Sequence, residues 1–142
     1  MRIKFYIIAL NAMLIFAGCE SKSNNYSVNE YGTITEYNGN ETSLVIPSVI
    51  NGKTITSIAE SVFRDKGIES VTIPHSITLI GYHAFLGNSL TSISIGQDVL
   101  LGIKSELEFH FAFDEDFDNY YNNNYMKAGT YVFIDSKWQL KE

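Results

Sequence analysis

"IESVTIPHSITLIGYHAF", Ile68–Phe85, sets the frame in which the whole chain is read. Before it, "TSIAESVF" ends at Phe63; after it, "LTSISIGQDV" begins at Leu90. Phe63 and Phe85 are 22 residues apart, and so are Ile58 and Ile80, Val71 and Ile93, and Ile73 and Ile95. Aligned on proline, the first copy is "SLVIPSVINGKTITSIAESVF" (Ser43–Phe63) and the second is "SVTIPHSITLIGYHAF" (Ser70–Phe85). A third copy opens with "SISIGQDV" (Ser92–Val99), where the pattern fades. Leu44, Val71 and Ile93 form one column, and Ile46, Ile73 and Ile95 another; Pro47 and Pro74 follow, with Gly96 in the third slot.

Such columns describe a solenoid. One copy cannot bury its apolar side alone, and stacking the next copy on it creates a continuous core. The β-rich stretch of each copy pairs with its neighbours as a parallel strand, so that coils rise by roughly 4.8 Å. Proline at the strand end stops the ladder where the chain turns. Gly81 permits a sharp turn, and Ala84–Phe85 sets a small residue beside a ring that plugs the coil. Ile68-x-x-Val71-x-Ile73 and Leu90-x-x-Ile93-x-Ile95 fit the leucine-rich-repeat strand pattern. The continuation "IP…ITLIG…AF" closely resembles the BspA-like, or treponemal-type, leucine-rich repeat. The resemblance covers Glu41–Gly96, and "KAGTY" followed by Trp138 looks like the ending of some spirochaetal members. It implies a surface or secreted bacterial protein of the kind implicated in adhesion to host matrix proteins and cells.

The first copy departs from the pattern. It spends 11 positions between Pro47 and Ile58 where the second spends 6 between Pro74 and Ile80. The surplus contains Asn51-Gly52, a strong two-residue hairpin signal, which predicts a small hairpin protruding from the first coil. Only two complete coils and one opening strand are legible, fewer than the roughly three a solenoid needs, so both ends must be capped. Residues 29–40 supply an N-terminal capping strand, placed over Tyr31–Tyr37, and residues 97–142 supply the C-terminal cap. In that cap Phe113, Phe117, Tyr120 and Tyr121 fall on one face of a helix, with Asp114, Glu115 and Asp116 in its first turn. "GTYVFIDSKWQL" then reads as two strands about a tight turn at Asp135-Ser136, with Trp138 covering the open end. The fold class is thus mostly β: a short leucine-rich-repeat solenoid with parallel strands, capped by an N-terminal strand and a C-terminal helix plus β-hairpin.

The remaining segment is the N-terminus. Arg2 and Lys4 precede an apolar stretch from Phe5 to Ala17, too short for a span of roughly 20 residues, and it fits a secretory leader over 1–18. It closes with "IFAGC", which resembles the lipobox of bacterial lipoproteins, although Phe16 stands where leucine is usual. The resemblance implies cleavage and lipidation at Cys19; the alternative is an ordinary signal peptide or a short anchor helix. Residues 19–28, polar and without periodicity, are expected to be a flexible tether. Cys19 is the only cysteine, so its lipidation leaves no disulfide, no thiolate metal site and no cysteine nucleophile. Loss of Arg2 and Lys4 leaves 8 basic against 16 acidic residues, a net charge of −8. That balance argues against nucleic acid and makes the acyl chains the link to the membrane.

Catalytic and metal signals are weak. Asp114-x-Asp116-x-Asp118 imitates the start of a calcium loop, but Asn119 stands where the loop needs glycine and Tyr125 where it needs glutamate. His75, His83 and His110 lack metal-ligand spacing, and no nucleophile elbow or phosphate loop is present. No catalytic residue, metal or cofactor is therefore expected. The candidate ligand face is the outward row of the strands: Ser43, Val45, Ser70, Thr72, Ser92 and Ser94. Its expected partner is a protein or glycan of a host or neighbouring cell. The alternative is a structural envelope lipoprotein, or a truncated paralogue, with no dedicated ligand.

Overall fold

A computed structural model of the chain describes residues 23–105, 108–109 and 111–141. The leader, Cys19 and the start of the tether lie outside the described residues, as does His110. After a short 3-10 turn at Ser23–Asn25 come β1 (Tyr26–Val28) and β2 (Thr33–Tyr37). The first coil holds β3 (Ser43–Val45), β4 (Val49–Ile50), β5 (Lys53–Thr54) and β6 (Ser57–Ile58). The second holds β7 (Ser70–Thr72) and β8 (Leu79–Gly81); β9 (Ser92–Ile95), β10 (Leu100–Ser105) and β11 (Glu108–Phe109) follow. Helix α1 (Glu115–Asn123) and the strands β12 (Gly129–Ile134) and β13 (Lys137–Lys141) complete the chain.

Each coil gives one strand to each of two sheets. β3, β7 and β9 pair in parallel with Leu44, Val71 and Ile93 in register, which is the column that the aligned copies define. On the other side of the core β2, β6, β8 and β10 pair in parallel, with Ile34, Ile58, Ile80 and Leu101 in line. At the corner the backbone continues the ladder: Phe63 N–H donates to the Ala84 carbonyl and Phe85 N–H to that of Ala112, both at 2.8 Å. Phe63, Phe85 and Phe113 therefore stack face to face, with ring centroids 4.8 and 4.7 Å apart and planes 9° and 4° from parallel. That spacing is the coil rise itself. The stack is closed by tilted rings at both ends, Tyr37 on Phe63 at 49° and Phe117 on Phe113 at 65°.

Four expectations are corrected. Tyr26–Val28 is no tether: it pairs antiparallel with β2, and Tyr26 is buried against Tyr37 and Phe63. The N-terminal cap is thus a hairpin rather than one strand, because Tyr26 supplies the ring that covers the outer face of the stack. The third coil does complete. "LLG" at Leu100–Gly102 repeats "LIG" at Leu79–Gly81, and Ala112–Phe113 repeats Ala84–Phe85. Between them the chain detours through the antiparallel β10–β11 pair, which hides the echo. Gly81, finally, is needed for closeness more than for a turn. A Cβ there would stand 2.7 Å from the Glu60 nitrogen and 2.8 Å from the Ala59 carbonyl carbon, both backbone atoms of the previous coil.

The hairpin predicted in the first coil is present as β4 and β5, which pair antiparallel around Asn51 and Gly52, both in the left-handed region. The predicted C-terminal helix and hairpin are present too. Asp114 is the N-cap, its side chain accepting from Phe117 N–H at 2.7 Å, so it precedes the first turn rather than occupying it. The hairpin turn falls at Asp135 and Ser136, both left-handed.

Candidate functional site

All six residues of the expected ligand face lie on the outer side of one sheet. Ser43, Ser70 and Ser92 are in register across β3, β7 and β9, and Val45, Thr72 and Ser94 form the next row. Their neighbours Leu44, Val71 and Ile93 are buried, as strand alternation requires. The hydroxyls bond to one another, Ser70 Oγ to Ser43 Oγ at 2.9 Å and Ser94 Oγ with Thr130 Oγ1 at 2.8 Å. The face is wider than the repeat alone suggests. β12 adds antiparallel to β9 and β13 adds to β12, giving the order β13-β12-β9-β7-β3. Val132 extends the Ser92 row, and Thr130 the Ser94 row. The outer surface thus carries short hydroxyls on β3, β7, β9 and β12, bordered by Lys137, Gln139 and Lys141 of β13, with Val45 and Ile134 as its exposed apolar points. β3 and β13 are the two edge strands of this sheet; β3 is three residues long and is followed at once by Ile46–Pro47, which blunts it against further pairing.

The aspartates of the D-x-D-x-D stretch have separate tasks. Asp114 caps α1, Asp116 is exposed, and Asp118 is buried. Asp118 accepts from Ala112 N–H at 2.6 Å and Phe113 N–H at 3.2 Å. In a longer array such N–H groups would donate to the carbonyls of the next coil, as those of Phe63 and Phe85 do. The carboxylate therefore stands in for a missing coil. Burial pushes its pKa up to about 7, against the pull of the two N–H groups. Tyr121 does the same at another corner: its buried hydroxyl donates to the Gly96 carbonyl at 2.7 Å and accepts from Val99 N–H at 3.1 Å. Burial raises its pKa also. Among the described residues no group of three or more His, Cys, Asp or Glu converges as a metal site. His75 is exposed, and His83 lies against the Tyr82 ring.

The sequence profile of the BspA type leucine rich repeat region, in six copies, matches residues 33–140. The chain belongs to the BspA-type leucine-rich-repeat family. No curated protein and no solved structure matches it significantly. The match runs beyond Gly96 into the C-terminal region, in accord with a third coil that completes. The family is a non-enzymatic repeat scaffold whose repeats serve protein–protein interaction.

Two features of this BspA-type chain escape the repeat pattern. Asn88 uses its whole amide. Its Oδ1 accepts from Lys66 and Ile68 N–H, and its Nδ2 donates to the carbonyls of Phe63 and Phe85. It clamps two coils at the corner, and a lone asparagine between repeats gives no periodic signal of that role. The second feature is a pair of clefts in the cap. A cleft of about 530 Å³ opens between the end of α1 and β13, and one of about 260 Å³ lies on the other side of Tyr120, against Phe133 and Trp138. They form only where α1 meets the hairpin, a contact between segments that the repeat pattern does not relate.

Proposed function

We propose that the chain is a lipid-anchored surface protein whose strand face binds a macromolecule of a host or neighbouring cell. One observation carries this reading: a sheet face continuous over five strands, hydroxyl-bearing on four of them, in a family whose repeats serve protein contact. Short hydroxyls leave the surface open to a partner, and each keeps hydrogen-bonding capacity after bonding its neighbour. Five strands at about 4.8 Å spacing and 3.3 Å per residue offer on the order of 200–300 Å² of projected face. A specific interface takes about 800 Å² per partner. The loops around the sheet must therefore contribute, or many copies held in one membrane must bind together. "IFAGC" supports the anchor, with Cys19 as the lipidated residue and the outer surface of the cell envelope as its destination.

The test has two arms. Cys19→Ser should move the protein from the detergent to the aqueous phase on phase partitioning; equal partitioning of both forms would refute the anchor. Thr72→Arg and Ser92→Arg each place a long cation in the middle of the face without touching the core. They should abolish adhesion of the full-length protein to immobilised matrix proteins and to host-cell layers. The small area of the face favours a second reading, a structural envelope lipoprotein. Protection of the chain from protease on intact cells, together with adhesion unchanged by both arginines, would establish that reading instead.

A further inference from the structure

We propose that the larger cleft of the C-terminal cap binds an acidic sugar, a uronic or sialic residue at the end of, or within, a glycan. The cleft has the volume of a small-molecule site, about 530 Å³. Among the described residues its charged lining is Lys127 and Lys141. Two ammonium groups in one cleft are notable in a chain of net charge −6. Among the described residues neither has a carboxylate within salt-bridge distance, since the one ion pair they hold is Arg64–Asp65. An anion is the complement of that lining.

The aromatic side of the cleft points to a sugar rather than to a simple anion. Tyr125 stands at the rim, 90% exposed, with φ at 58°. A bulky side chain held left-handed and almost bare to water is a costly arrangement, of the kind found at ligand sites. Its ring offers a flat apolar face to the C–H face of a pyranose. The loop that carries it is already set. Tyr125 N–H donates to the Asn122 carbonyl and Met126 N–H to that of Tyr121. The Lys127 carbonyl accepts from the Tyr131 hydroxyl at 2.6 Å, and the Met126 carbonyl from Asp98 N–H at 2.9 Å. Little ordering therefore remains to be done on binding. Tyr120 and Asn124 supply polar groups for the sugar hydroxyls. Tyr120 also lines the second cleft, where Phe133 is 39% exposed, so a neighbouring sugar unit has a ring to rest on. The cleft meets the strand face at Lys141, which pairs with Thr130, but Thr72 and Ser92 lie outside it, so arginines at those two positions test the face alone and Lys127 and Tyr125 test the cleft alone.

The experiment is calorimetric titration of the full chain in detergent micelles with three probes: trigalacturonic acid, neutral trigalactose and triglutamate. Trigalacturonic acid should bind saturably, and the other two at least about tenfold more weakly. Lys127→Gln with Lys141→Gln should weaken it by about tenfold or more, through loss of two charge-assisted contacts. Tyr125→Ala should weaken it several-fold. All three positions are exposed, so circular dichroism and melting should match the parent. Absent binding, or binding that these variants leave unchanged, overturns the site. Equal binding of the neutral sugar overturns the charge argument, and equal binding of triglutamate overturns the sugar.

Discussion

Replacing Phe85 by alanine tests the coil stack at its centre. The ring is 1% exposed and lies between two others at 4.8 and 4.7 Å, nearly parallel to both. A buried Phe→Ala change costs about 3–5 kcal/mol, as lost transfer energy plus the cavity left behind. The upper half of that range applies here. The rings above and below cannot close the gap, because the coil spacing is fixed by the Phe63–Ala84 and Phe85–Ala112 backbone bonds. Phe85→Leu keeps much of the volume and loses the stacking, which should cost about 1–2 kcal/mol. For a domain of this size an alanine loss of about 4–5 kcal/mol corresponds to a fall in melting temperature of roughly 16–20 °C, at about 4 °C per kcal/mol. Urea unfolding followed by Trp138 fluorescence supplies the free energy, with an unchanged slope as the sign that both states are otherwise preserved. His83→Ala is the comparison. His83 is half-buried and left-handed, two residues from Phe85, so its replacement should be mild. A loss below about 1 kcal/mol for Phe85→Ala, or one equal to that of His83→Ala, would show that the stack does not bear the core.

Three further outcomes follow from the described contacts. Gly81→Ala sets a methyl against the backbone of the preceding coil, with no flexible side chain to yield; chemical denaturation should report a loss of about 1–3 kcal/mol, and a neutral result would mean that the coils slide freely. Asn88→Ala removes four hydrogen bonds at once and strands backbone groups at the corner, for about 2–4 kcal/mol, whereas replacing the exposed Ser89 should register nothing in the same melts. The Asp118 carboxyl is pushed up to about 7, so the folded chain keeps a proton that the unfolded chain loses near pH 4. Stability contributed by the protonated group is full below about pH 4 and declines up to about pH 7, by at most about 1.4 kcal/mol per unit. The urea midpoint of the parent should fall from pH 5 to 8 relative to that of Asp118→Asn, whose amide stays neutral throughout; parallel profiles would remove Asp118 as the source.

What was legible in the sequence was whatever repeats. The column of Leu44, Val71 and Ile93, aligned on the repeated strand and proline, gives the strand register, and Asn51-Gly52 gives the hairpin, because each is a local or repeated constraint. Tyr26 was misread as tether because a single aromatic among Ser and Asn has no periodicity; only its contact with Phe63 explains it. The third coil is hidden in the sequence because the detour through β10 and β11 separates "LLG" from Ala112–Phe113 and breaks the constant spacing. Alternation tells which strand residues point outward, but not how wide the sheet is. Its extension depends on β12 running antiparallel against β9, a long-range pairing that no spacing announces. Charge reading found the aspartates of the cap but not their use, since burial of Asp118 is a property of the assembled corner.

The way the array stops also bears on how long it can be. Asp118, Tyr121 and β12 meet the groups of the third coil, and the hairpin of β1 and β2 meets those of the first. Among the described residues, the strands β7 and β8 of the second coil pair only with strands of the first and third coils. Duplicating Ile68–Ser89, a stretch of 22 residues, would therefore lengthen the rod by one step from its middle and leave both ends chemically unaware of the change. Each added step would widen the outer sheet by a strand and carry the C-terminal clefts roughly 4.8 Å farther from the N-terminal end. Reach can thus be varied by whole steps without redesigning either terminus, and descendants of one ancestral chain could differ in length while keeping the same two ends.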